Sequence, residues 1–225
     1  MTFSIAGRCA STNAFGVAIA TSSIAVGARC PHARAGVGAV ATQNITDPAL
    51  GPLLLDFMRA GLTAKEALAK AVEGRDSIDY RQLIAVDRHG NSASWSGKHI
   101  LGRHAVAERT DCVAAGNLLK SDRLPQAMTD AFAANADVHL AERLLRALEA
   151  GLAAGGEEGP IHSSALLVVH EQSFPLVDLR CDWDDEAPIA RLRHLWTAYE
   201  PQMQAYLTRA VNPSAAPGYG VPGDR

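Results

Sequence analysis

Strand-like runs in this chain come in adjacent groups joined by short turns, and helix-like runs come in pairs. That order excludes the strict strand–helix alternation of a parallel sheet. Thr2–Arg8 ("TFSIAGR") alternates, with Phe3 and Ile5 on one face and Thr2, Ser4 and Ala6 on the other. A small polar turn over 9–14 leads into a second β-rich run, 15–22, and the two form a hairpin. Residues 35–43 ("AGVGAVATQ") read as a third strand, glycine-rich where backbones approach closely, and "GARCPHARAG" before them reads as a loop.

Two helices follow. Asp47 caps the first, with Pro48 at its opening position and Gly61 at its end, and Thr63 caps the second in a capping box with Glu66. Strands at 82–87 and 92–97 share the turn "RHGN", and 111–117 is a further short strand. A second helical pair spans 125–134 and 139–154, closed by the surface loop "GGEEGP". A last hairpin joins 164–170 to 176–182, and a helix over 188–210 carries Pro201 as a kink point. Residues 1–211 therefore form one α+β domain, antiparallel sheets under helical layers, and 212–225 a proline- and glycine-rich tail.

Composition narrows the function classes. At 225 residues, with 48% hydrophobic and 20% charged residues, the chain is an ordinary globular protein. A net charge of −3 leaves no basic footprint, so nucleic acid is not an expected partner. The uncharged run 9–28 carries too many serines and threonines for a bilayer, and no basic start precedes it, so neither a membrane span nor an export signal is expected. Cys9, Cys30, Cys112 and Cys181 have no metal-ligand spacing and read as reduced, buried thiols of a cytoplasmic protein. Neither glycine-rich stretch has a phosphate-binding lysine or a dinucleotide fingerprint, so no cofactor or metal is expected.

Thr2 is the residue with the sharpest chemistry. Removal of Met1 leaves it with a hydroxyl and an α-amine, a nucleophile and a base on one residue. A free α-amine has a pKa of about 7.7–8.0, so a sizeable neutral fraction exists at working pH. The competing reading is the polar first residue of a strand. If Arg8 faces Gly16, the constant index sum of an antiparallel hairpin sets Thr2 opposite Ser22, within a cluster of Thr21, Ser22 and Ser23. Thr42, Gln43 and Asn44 end the third strand near the same edge, and Asn117 follows Gly116 at another strand end. Gln43, Asn44 and Asn117 are candidate oxyanion or substrate donors, against a bland role in turns. Arg34 precedes an apolar strand and is the candidate carboxylate anchor, with His32 left to the loop. His162, Ser163 and Ser164 lack a nucleophile elbow, and Asp178 with Arg180 reads as an ion pair.

The segments "MTFSIAGR", "GVAIATSSIAVGARCPHARAGVGAVATQNITDPALG", "YRQLIAVD", "VAAGNLL", "LLRALEAGLAAGGEEGPIHSSALLVV" and "NPSAAPGYGVPGD", in that order, resemble domain-of-unknown-function family 1028. That family is grouped with the N-terminal-nucleophile (Ntn) hydrolases. The resemblance implies a four-layer αββα sandwich, amide-bond hydrolysis as the superfamily's chemistry, and Thr2 at the nucleophile position. The reading is then a hydrolase of a C–N amide bond in a small-molecule substrate, with Thr21, Ser22 and Ser23 supporting Thr2. The alternative is a binding protein on the same scaffold that retains Met1. A homodimer engaging the tail through Tyr219 and Val221 is also expected.

Overall fold

Seven residue pairs join β1 (Thr2–Arg8) to β2 (Phe15–Thr21) in an antiparallel hairpin, and the register runs from Arg8↔Phe15 to Thr2↔Thr21. The computed structural model describes residues 1–220 of the chain. Among them the remaining strands are β3 (Pro31–Arg34), β4 (Gly38–Asn44), β5 (Arg81–Asp87), β6 (Ser92–Ser96), β7 (Ala105–Arg109), β8 (Cys112–Asn117), β9 (Ser163–Val169) and β10 (Val177–Cys181). The helices are α1 (Leu50–Arg59), α2 (Ala64–Val72), α3 (Leu124–Ala134), α4 (Leu140–Ala153) and α5 (Pro188–Val211).

The strands form two antiparallel sheets, one ordered β10-β9-β2-β1-β8-β7 and the other β3-β4-β5-β6. Their two faces sort the side chains, as alternation along a strand demands. Phe3 and Ile5 pack outward against Met128 and Phe132 of α3 and Leu144 and Leu148 of α4, with Leu192 and Trp196 of α5 in the same cluster. Ala6, Val17, Ile19, Val113 and Ala115 face inward, onto Ala39, Ala41, Ile84 and Val86 of the second sheet. The far face of that sheet, Val40, Leu83 and Ala85, is covered by Leu54, Leu55 and Met58 of α1 and Ala67 and Leu68 of α2. Small residues let these layers approach. A Cβ on Gly7 would stand 2.7 Å from the Phe132 ring, so α3 can lie on the sheet only if that position stays bare.

Several local expectations hold, and several shift. Thr63 and Glu66 form the full capping box of α2. Asp47 instead shapes the turn before α1, its Oδ1 accepting the Ala49 N–H at 3.1 Å, and the helix begins at Leu50 rather than at Pro48. The stretch before the third strand, a loop by sequence, contains β3, an edge strand paired with β4 by four residues. No helix among the described residues is long and apolar enough to cross a membrane. The tail folds back on α5 as far as it is described: the Arg209 guanidinium lies 3.6 Å from the Tyr219 ring centroid and donates to the Pro217 carbonyl. Val221 lies outside the described residues.

Candidate active site

Parity decides which hydroxyls meet. Thr2, Ser4 and Ala6 share the inward face of β1, and Thr2 pairs with Thr21 on one side and Asn117 on the other. The expected partner was Ser22, from a hairpin with Arg8 opposite Gly16. The true turn is one residue shorter, Arg8 faces Phe15, and Ser22 falls beyond the strand. A one-residue slip changes which side chains share a face. Thr21 is therefore the hydroxyl beside Thr2, with the two Oγ1 atoms 2.9 Å apart and both residues buried.

Both hydroxyls converge on the Met1 carbonyl. Thr2 Oγ1 donates to it at 2.6 Å, and Thr21 Oγ1 donates to it as well. Three contacts share two hydroxyl protons, so one contact of the triangle is always unprotonated. Behind this corner runs a ladder of buried amides between the sheets. Ser4 Oγ donates to Gln43 Oε1 at 2.7 Å, and Gln43 Nε2 donates to Gln82 Oε1 at 2.8 Å. Asn117 Nδ2 reaches the same Gln82 oxygen at 3.2 Å, and Gln82 Nε2 donates to Ser96 Oγ and the Gly116 carbonyl. Asn117 Oδ1 is buried with no hydrogen-bond partner among the described residues.

The other sequence candidates lie elsewhere. Thr42 shares its strand face with Val40, on the helix side of β4, and its hydroxyl donates to the Asp47 carbonyl at 3.2 Å. Asn44 has φ 72°, donates through Nδ2 to the Tyr80 carbonyl and accepts the Leu101 N–H through Oδ1, so both ends of its amide hold backbone. Ser23 is exposed and accepts from Arg29 Nη2 at 3.0 Å. Arg34 pairs with Asp56 at 2.7 Å and sits opposite Gly38, the far end of β4 from Gln43. Five residues of strand put it roughly 16 Å down the sheet from the amide ladder.

One residue of the corner was hidden inside the stretch read as a surface loop. Glu157 is 2% exposed. A bridge to Leu119, two residues past Asn117, holds it against the end of β8. Neither carboxylate oxygen has a hydrogen-bond partner among the described residues. Burial pushes its pKa up to about 8, against the field of the chain's terminal ammonium, which draws it down. The only sequence signal was an acid next to the glycines and proline of "GGEEGP", which also describes a solvated loop. His162 stands nearby, its N–H donating to the Thr21 carbonyl at 2.9 Å and its ring stacked 4.3 Å from Trp183. Among the described residues no group of His, Cys, Asp and Glu is arranged to hold a metal ion.

Comparison with known proteins adds a family but no activity. A crystal structure of a DUF1028 protein from Silicibacter pomeroyi is 32% identical, covers 88% of this chain and 85% of its own, and superposes with a TM-score of 0.82. Anbu (ancestral beta-subunit) from Yersinia bercovieri is 12% identical over 91% of this chain and 97% of its own, with a TM-score of 0.38. An Anbu (Gly-1) mutant from Hyphomicrobium sp. strain MC1 is 15% identical over the same 91% and 97%, with a TM-score of 0.43. At those TM-scores neither likeness carries an argument. No curated protein matches the chain. The model of the family of unknown function DUF1028 matches residues 2–192, and the chain belongs to that family.

Proposed function

We propose that this chain is an Ntn-type amidohydrolase on an αββα sandwich, acting on a small amide once Met1 is removed. The observation that carries the reading is the placement of Thr2, a buried hydroxyl at the polar end of the inter-sheet layer with Thr21 Oγ1 at 2.9 Å. In the proposed reaction Thr2 Oγ attacks the amide carbonyl carbon while its proton passes to the Thr2 α-amine. The amine then gives that proton to the leaving nitrogen as the C–N bond breaks, leaving an acyl ester on Thr2. Water, deprotonated by the same amine, hydrolyses the ester, releasing the acid and restoring the hydroxyl. Thr21 donates toward the oxygen that develops charge, the position the Met1 carbonyl oxygen takes in the structure. The Asn117 and Gln82 amides set the polar wall behind it.

A second reading, a binding protein that retains Met1, is favoured by one observation: Met1 is well seated, its Sδ accepting the Gly159 N–H at 3.0 Å. Intact-mass measurement paired with a hydrolysis screen of N-acyl amino acids, lactams and amino-acid amides separates the two. Protein beginning at Thr2 is expected to turn over at least one class, Thr2→Ser to keep part of that rate, and Thr2→Ala almost none with an unchanged melting temperature. Full activity in a preparation that keeps Met1 removes the mechanism, because an acylated nitrogen cannot accept the proton.

A further inference from the structure

Met1 occupies a formed pocket. Its carbonyl oxygen meets the two threonine hydroxyls, and its thioether lies against Gly159, where an added Cβ would come within 2.3 Å of Cε. Glu157 stands two residues before Gly159, so its buried carboxylate flanks the same pocket, and among the described residues no ion pair joins it to the Met1 ammonium. Glu157, Gly159, Pro160 and Ile161 also line a cavity of ≈270 Å³, together with Asp185, Glu186 and the cation Lys120. A carboxylate that is 2% exposed, with both oxygens unpartnered among the described residues, is costly to maintain unless something cationic meets it.

We infer that the pocket holding Met1 is the acyl-side subsite, built for an α-aminoacyl group: a free ammonium directed at Glu157, an unbranched side chain beside Gly159, and a carbonyl at Thr2 and Thr21. The substrate class is then an amide of an amino acid, or a short peptide, with an unblocked amino end. This deepens the amidohydrolase reading and rests on it for the chemistry, but the recognition itself is a binding property. Met1 is the chain's own example of such a group, joined through its carbonyl to the nitrogen of Thr2. Asp185 and Glu186 outweigh Lys120 around the cavity, which favours a cation over an anion there, and a cation entering it would draw Glu157 into its charged form. Gly159 has an ordinary backbone conformation, so alanine fits its backbone and narrows only the slot.

The test uses protein beginning at Thr2, verified by intact mass, with L-methioninamide and N-acetyl-L-methioninamide as probes. Binding is read by calorimetry and hydrolysis separately by product release. Free-amine ligand is expected to bind roughly 10-fold tighter or better, the difference expected for one charge-assisted contact. Glu157→Gln should erase that ratio, and Gly159→Ala should shift preference from L-methioninamide to L-alaninamide. Equal affinity for the free and acetylated amides, binding of neither, or a ratio untouched by Glu157→Gln overturns the subsite. Should Glu157→Gln fail to fold, the Gly159→Ala preference decides alone. Discriminating binding without hydrolysis leaves the subsite standing and removes Thr2 as nucleophile. Hydrolysis of the acetylated amide alone does the reverse.

Discussion

Replacing Glu157 by Gln should make the protein more stable, and increasingly so as pH rises. Burial raises the folded-state pKa of Glu157 from the ordinary carboxylate value of 4.5 to about 8. Between those two values the unfolded chain has released this proton and the folded chain still holds it. The unfolded state binds fewer protons there, so stability falls with pH. At 1.36 kcal/mol per unit the full swing has a ceiling of about 5 kcal/mol. Water entry on ionisation lowers it, and roughly 2–4 kcal/mol is the expected difference. The groups around it are the terminal ammonium, Lys120, Asp185 and Glu186, and they are common to both proteins. Urea unfolding of wild type and Glu157→Gln at pH 5 and at pH 8.5 isolates the term. Near pH 5 the two should be almost equally stable, and at pH 8.5 the glutamine protein should lead by those 2–4 kcal/mol. A stability difference that does not change between the two pH values would refute the claim that the carboxyl is buried and unpartnered.

Gln82→Leu strips the acceptor from Gln43 Nε2 and Asn117 Nδ2 together, and should cost roughly 2–4 kcal/mol in thermal or urea unfolding. Arg34→Ala breaks a solvent-screened pair with Asp56 at the opposite end of the sheet; it should leave the melting temperature almost unmoved and kcat/KM unchanged. A kcat/KM loss for carboxylate substrates in that variant would restore Arg34 as an anchor. Acid should weaken the α4–α5 junction: Glu142, although partly desolvated, is held below the usual carboxylate range by its hydrogen bonds to Arg193, Arg146 and Trp196. A lowered folded pKa contributes stability above the unfolded value, and that is lost as pH falls through the folded one. Glu142→Gln should therefore flatten the acid limb of the stability curve below pH 5.

Most element types were legible because the periodicities are clean, and the capping box at Thr63 and Glu66 marked the start of α2 to the residue. What failed were matters of one residue or of tertiary cover. The β1–β2 turn could close with Arg8 facing Gly16 or Phe15, and sequence has no term that chooses between them. β3 has only four residues beginning at a proline, and it exists because β4 offers it an edge. Glu157 reads as solvated because its burial is imposed by the isolated bridge to Leu119, brought from far along the chain. Asn44 was a fair donor candidate by position, but its left-handed backbone turns both amide ends to Tyr80 and Leu101.

The layer between the sheets changes character along its length, and that change marks the candidate corner independently of any family argument. At the β1–β2 turn end it is filled by Phe15, Val17, Ala39 and Val86, all at 0% exposure, and closed by Arg8, whose guanidinium is tied to Asp111 in an ion pair. At the other end the same inward positions carry Thr2, Ser4, Thr21, Gln43, Gln82 and Asn117, equally shielded. Burying six polar side chains is unfavourable unless each finds partners, and apolar residues of similar size would pack there at lower cost. Ser4, Gln43 and Gln82 are satisfied by one another together with Ser96 and the Gly116 carbonyl. Thr2 and Thr21 reach beyond the ladder to a backbone carbonyl, while Asn117 Oδ1 and the Glu157 carboxylate have no hydrogen-bond partner among the described residues. A purely structural network would close on itself. This one closes at its base and stays open at its rim, where Thr2 begins its strand, and that asymmetry is what a binding corner requires.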